Sequence, residues 1–259
     1  MKLKMAVSIV GRKEERDLSR IYTDRKDGTF SFPRIVDALE IKVQNPSEYA
    51  LVQEGDQASS ALSMRQSHNG MNQKETVIRV LKEGLTMPRA SRFVRHLINV
   101  NSAKEGKGFL YDANGNLIEG DKLENYWQTM FHNHWIWSPE SFKKSEKGKE
   151  GFLDLDIVTI TGLDEKGKPI YQVEPLKRCL EQDCYADLGS MNPQGFLTRR
   201  STTQKYVPGK TIYFFPPREG LAVRFLAGSD YADFVGYGDP LDAIGRLGVF
   251  ACAEGDAKK

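Results

Sequence analysis

The stretch DKLENYWQTMFHNHWIW, from Asp121 to Trp137, holds all three tryptophans and two of the four histidines of a 259-residue chain. So much aromatic surface has to be buried, and this constrains the fold more than any other segment. Leu123, Tyr126, Trp127, Met130, Phe131, His134 and Trp137 recur at helical spacing. Asp121 is a good N-cap, and Glu124 completes a capping-box pattern. Ser138-Pro139 should end the helix, because the residue before a proline avoids the α conformation. The spacing therefore predicts a helix over 121–137 with His132 outward and His134 inward, and Ser138 capping a short further helix through Phe142.

Apolar residues at 39% and charged residues at 28% suit a globular chain with a substantial core. The expectation is one domain over 1–259, with a possible division at the exposed loop 143–151 (KKSEKGKEG). No run of about 18 apolar residues occurs, so no membrane partner is expected. The apolar run Met5 to Val10 is too short for a signal peptide and reads as a first strand. Cys179, Cys184 and Cys252 are an odd, sparse set, unlike a secreted disulfide scaffold, and a cytoplasmic location is expected.

Along the first half, Arg12, Arg16 and Arg20 would share one face of a helix. Asp27-Gly28 marks a turn, and Leu39, Ile41 and Val43 alternate with polar residues as a strand does. Residues 53–72 are rich in Ser, Gln and Asn and read as a long exposed loop. Asn72 and Glu75 form a capping box for a helix that turns Val77, Val80 and Leu81 inward and closes at Gly84. Pro88 then fits the first turn of a second helix. Ala90, Phe93, Val94, Leu97 and Ile98 fall on one side of it, and Arg89, Arg92, Arg95 and His96 on the other. The pair resembles the outline of a helix-turn-helix, although Arg79 and Val80 depart from that motif's usual apolar and small positions. Residues 108–120 read as a hairpin with Asn114-Gly115 in a type I′ turn. Its Asp112, Asn114 and Asn116 fail as a calcium loop at Leu117 and Leu123.

The second half reads mostly as strands: Leu153 to Ile157, its hairpin partner Ile170 to Val173, then 211–215, 221–227 and 247–252. Glu174 to Asp187 reads as a short helix. The predicted class is α+β: a helical N-terminal half carrying a β-hairpin, packed on a mainly antiparallel β C-terminal half.

Known chemistry finds little purchase. His132, His134, Cys179 and Cys184 could fill a tetrahedral zinc site, but histidines two apart on a helix diverge by about 200°. Asp154 and Asp156 would share a strand face, the pattern of either a cation site or a solvated edge. Gly209-Lys210-Thr211 ends like a phosphate loop, yet Gln204 stands where glycine is required. No dinucleotide fingerprint, nucleophile elbow or zinc-protease motif occurs. No catalytic residue, metal ligand or cofactor is assigned.

The charge is segregated rather than large. Residues 1–26 carry eight Lys/Arg against four Asp/Glu, residues 89–107 five against one, and residues 199–210 four against none. Acids gather at Asp230, Asp233, Asp239 and Asp242. Arg89, Arg92, Arg95, Arg199, Arg200, Lys205 and Lys210 are candidates for phosphate contact, while Tyr206, Tyr213 or Phe214 offers a stacking face to unpaired bases. The leading expectation is a non-enzymatic nucleic-acid-binding protein that contacts backbone or single strands. The alternatives are a structural subunit of a homo-oligomer or nucleoprotein complex, joined through complementary basic and acidic ends, and a metal-dependent hydrolase.

Overall fold

The computed structural model describes residues 4–9, 12–17, 23–24, 30–31, 39–54, 57–146 and 151–257. Seven strands come first: β1 (Lys4–Ile9), β2 (Arg12–Asp17), β3 (Thr23–Asp24), β4 (Phe30–Ser31), β5 (Leu39–Ile41), β6 (Tyr49–Glu54) and β7 (Gln57–Ser63). Helices α1 (Gln73–Lys82), α2 (Ala90–Lys104) and α3 (Gly120–His132) follow. Next are β8 (His134–Lys144), β9 (Leu155–Leu163), β10 (Pro169–Pro175), β11 (Cys184–Asp187) and β12 (Thr211–Phe215). The chain closes with β13 (Ala222–Ala227), β14 (Ala232–Gly238), β15 (Leu247–Gly248) and β16 (Cys252–Ala257).

The main sheet has the order β10-β9-β8-β13-β14-β12-β11, with β15 beside β8. Its neighbours are antiparallel except β12 with β14 and β15 with β8. A second sheet has the order β5-β16-β7-β6, so a late strand closes a sheet of early ones. The class is therefore α+β; among the described residues the first half carries seven strands beside the three helices, and the two halves interleave instead of packing as blocks.

Three layers result. Phe93, Val94 and Leu97 of α2 and Met130 and Phe131 of α3 share a buried cluster with Ile136, Phe214, Phe225 and Phe234 of the main sheet. On the other face Val77 and Val80 of α1 pack with Trp137, Ala222 and Leu247. Ile136 and Trp137 are adjacent on β8, and the two-residue period of a strand sends them to opposite layers.

Helix α1 starts as its sequence demands. Asn72 Oδ1 accepts the Glu75 N–H at 2.9 Å, Glu75 Oε2 accepts the Asn72 N–H at 3.3 Å, and Gly84 leaves the helix at φ +76°. Helix α2 has no such local cap, because its N-cap residue is Arg89. Glu140 supplies one from β8: its Oε1 accepts the Ala90 N–H at 3.0 Å. Burial pushes this carboxyl up to about 7, against the opposing influence of Ser138, the Ala90 N–H and Arg89. Ser138 Oγ lies between Glu140 Oε2 and the Pro88 carbonyl, the latter at 3.1 Å. A hydroxyl has one proton to give. With Glu140 protonated, the carboxyl donates to Ser138, Ser138 donates to Pro88, and every partner is satisfied. Gln73 Nε2 ties the same strand to α1 through the carbonyls of Ser138 and Glu140, at 2.7 and 2.8 Å.

Several expectations need correction. Helix α3 stops at His132, and Trp135, Trp137, Ser138 and Pro139 lie on β8. Its N-cap is Glu119, which makes no side-chain cap bond, so Asp121 falls inside the first turn. Residues 53–72 contribute β7 and the end of β6. Arg12 and Arg16 lie on β2, paired with β1, not on a helix. Arg20 and the Asp27-Gly28 turn lie outside the described residues. At the tip of 108–120 only Gly115 has positive φ, so the turn is not type I′. Asp112 Oδ1 builds it by accepting the N–H groups of Asn114 and Asn116 at 3.0 and 2.9 Å. Segment 174–187 contains β11 and no helix, and 232–238, which holds Asp233 of the acidic group, is β14. The strands on either side of 143–151 pair with each other, Lys144 with Leu155. The 155–163 and 169–175 hairpin forms as expected.

Candidate nucleic-acid interface

Strand period also builds the site. On β12, Ile212 and Phe214 point into the core, which leaves Tyr213 and Phe215 on the outer face. Tyr185 on β11 lies opposite Tyr213, and β14 adds Tyr237 at the same face. All four are half-buried, and none belongs to a buried cluster. They touch in series: Tyr185 to Tyr213 at 4.9 Å between ring centroids, Tyr213 to Phe215 at 4.8 Å, and Phe215 to Tyr237 at 5.1 Å. The Arg218 guanidinium lies 4.5 Å over the Tyr237 ring. Gly236 permits this arrangement, since a Cβ there would come within 2.6 Å of the Pro217 backbone that carries Arg218 across β14.

Charge of both signs borders the aromatic row. Asp233 lies beside Tyr213 in the β12–β14 register, and burial raises its carboxyl to about 6. Arg199 reaches this rim, where its Nε pairs with Asp187 at 2.7 Å. Beyond Arg218 lies an open cavity of about 490 Å³, walled by Lys144, Asp154, Asp183 and Arg218.

The two predicted basic segments part company. Helices α1 and α2 lie on opposite faces of the main sheet, so they form no helix-turn-helix. Arg92 donates to Glu254 and, at 3.4 Å, to Cys252 Sγ. Arg89 donates to Gln172 at 2.6 Å and faces Glu174 at 3.9 Å. Arg95 is half-buried and engaged as well. His96, expected on the solvated side, is fully buried, with its Nε2 2.6 Å from Tyr126 Oη, because α3 covers that side. Burial drives its imidazole down to about 3, so it is neutral. Helix α2 is thus clamped on all sides. Arg199, Arg200, Lys205 and Lys210 are exposed, but of these Arg199 alone borders the aromatic row; Arg200 lies opposite Ala186, on the inner side of β11.

Tyr206 is not a stacking face. Its hydroxyl donates to the Phe131 carbonyl at 2.6 Å, pinning the basic segment to the end of α3. Phe214 is wholly buried, which leaves Tyr213 alone of the three proposed aromatics on the open face. Tyr185, Phe215 and Tyr237 escaped notice. Separating odd from even positions in TIYFF would have found Phe215; the other two enter only through pairing.

The metal readings lose their geometry. His134 is buried between the edges of Phe93 and Phe250, while His132 lies beside the Ser229 carbonyl. Asp154 sits in a turn at φ +55°, and Asp156 is buried on β9, accepting from Ser145 Oγ at 2.8 Å. Among the described residues no three His, Cys, Asp or Glu side chains converge on a metal site. No helix among them is long and apolar enough to cross a membrane. The chain matches no protein-family model, no curated protein and no solved structure.

Proposed function

We propose that the protein binds single-stranded nucleic acid on the outer face of β11, β12 and β14. Unpaired bases stack on Tyr213, Phe215, Tyr185 and Tyr237, and Arg199 and Arg218 meet the phosphates. The observation that carries this reading is the continuous row of four half-exposed aromatic rings, capped by a stacked guanidinium. A duplex buries its base faces and cannot use such a row. Asp187 and Asp233 beside the rings keep affinity moderate and dependent on salt.

Fluorescence anisotropy with labelled single-stranded DNA and RNA oligonucleotides at low salt tests the reading. Binding should be preferred over the matching duplex and should weaken by roughly tenfold or more when Tyr213→Ala is combined with Tyr237→Ala. If no oligonucleotide binds at low salt, or if the double variant binds as well as the parent, the proposal fails.

A further inference from the structure

The edge of the main sheet opposite that face has its own unexplained feature. Strand β10 pairs with β9 alone, so its other row of backbone N–H and C=O groups has no strand beside it among the described residues. Edge strands are ordinarily blunted by charge, brevity, proline or bulges, and β10 has proline only at its two ends, Pro169 and Pro175. This one exposes Ile170, Tyr171 and Val173 at 47, 51 and 47%. These are three of the six large apolar residues exposed among the described residues. Its one bulge falls on the partner, since Ile170 and Tyr171 face Gly162 and Ile160 and Thr161 is skipped, which leaves β10 regular. Arg89 fixes the strand from the helix side through Gln172 and Glu174.

We infer that β10 pairs antiparallel with β10 of a second copy of this chain, about a two-fold axis at Tyr171. The register follows from charge and face. With Tyr171 opposite its own copy, Lys168 of each chain falls opposite Glu174 of the other, giving an ion pair at both ends. Val173 falls opposite Pro169, so Pro169, Tyr171 and Val173 of the two chains make one unbroken apolar strip on a single face. Ile170 and Gln172 meet on the other face. The pairing joins two main sheets into one and leaves both aromatic rows at its far ends, so it does not depend on the nucleic-acid reading.

Light scattering on the eluting full-length protein should give the mass of a dimer, and Tyr171→Lys, which sets like charges face to face on the axis, should give a monomer. Position 171 is half-exposed, so this variant keeps the fold, as its unchanged circular dichroism should show. The three native cysteines are buried, so an introduced thiol reports alone. Under mild oxidation Tyr171→Cys should form a covalent dimer, and Gln172→Cys, which faces Ile170 of the other chain, should not. A parent that stays monomeric at every concentration reached overturns the inference, as does a dimer that survives Tyr171→Lys. Cross-linking at 172 in preference to 171 overturns the register.

Discussion

Strands β12 and β14 carry aromatic residues on both faces, and the two faces serve different ends. Inside, Phe214 and Phe234 are fully buried, 5.2 Å apart edge to face, with Phe225 4.5 Å further on. Outside, Tyr213, Phe215 and Tyr237 form an equally close row that stays half open to water. The inner rings are held because removing them leaves a cavity. The outer rings gain less from the fold, and three of the four outer rings, counting Tyr185, are tyrosines, which tolerate water and leave a flat surface for a ligand. Aromatic content alone thus does not separate core from surface; strand parity does.

That comparison can be broken most forcefully from the inside. Phe234→Ala should cost about 3–5 kcal/mol of unfolding free energy in denaturant melts. A loss below about 1 kcal/mol would mean that the inner rings are no more structural than the outer ones. Next in size comes Glu140, whose buried carboxyl joins α2 to the inner face of the sheet. Its pKa is raised in the folded state, so the native protein holds a proton that the unfolded chain releases. Stability should be greatest below the ordinary carboxylate value and fall as pH rises through about 7, by on the order of 2–3 kcal/mol. Glu140→Gln, which mimics the protonated group, should flatten the melting profile over that window; an unaltered slope would show that another group sets it.

On the outside the expected effects move from stability to binding. Tyr213→Ala with Tyr237→Ala should change unfolding free energy by about 1 kcal/mol or less while weakening oligonucleotide binding by about 1–3 kcal/mol for each base that no longer stacks. A large loss of stability without loss of binding would reverse the roles of the two faces. The smallest effect is expected from the rim: converting Arg199 and Arg218 to Ala should lower the slope of log affinity against log salt by about 0.7 for each phosphate no longer neutralised. The same slope should be insensitive to Arg92→Ala, because that residue belongs to α2, which packs on the inner face of the sheet, away from the aromatic row.

What could be read from the sequence follows the same division. Local signals survived: the Asn72–Glu75 capping box, the Gly84 stop and the 155–175 hairpin all form. Helix α3 was legible up to Phe131, but the stretch beyond it was not. From Ile136 to Glu140 every residue of β8 is buried, because helices cover both sheet faces at this point. Burial on both sides erases the alternation that marks a strand and leaves an apolar run that continues the helical pattern. Strand β7 was missed for another reason: five of its seven residues are Ala or Ser, which look like a loop until pairing with β6 and β16 gives them a sheet. The aromatic row was half legible, since Tyr213 and Phe215 share a strand, whereas Tyr185 and Tyr237 join them through partners distant in the chain. The basic face of α2 misled because a helical wheel shows which residues are polar but not which acids will meet them.

Strand β16 has one further consequence. Cys252 pairs with Leu62 and Gly255 with Ile41, so β5 and β7 have no neighbour between them until the chain has been made to its last described strand. On the ribosome, the early sheet therefore waits with an open seam while the main sheet is assembled from residues synthesised in between. Loop closure over so long a span is slow, and folding of the whole should be limited by this final stitch, not by any helix.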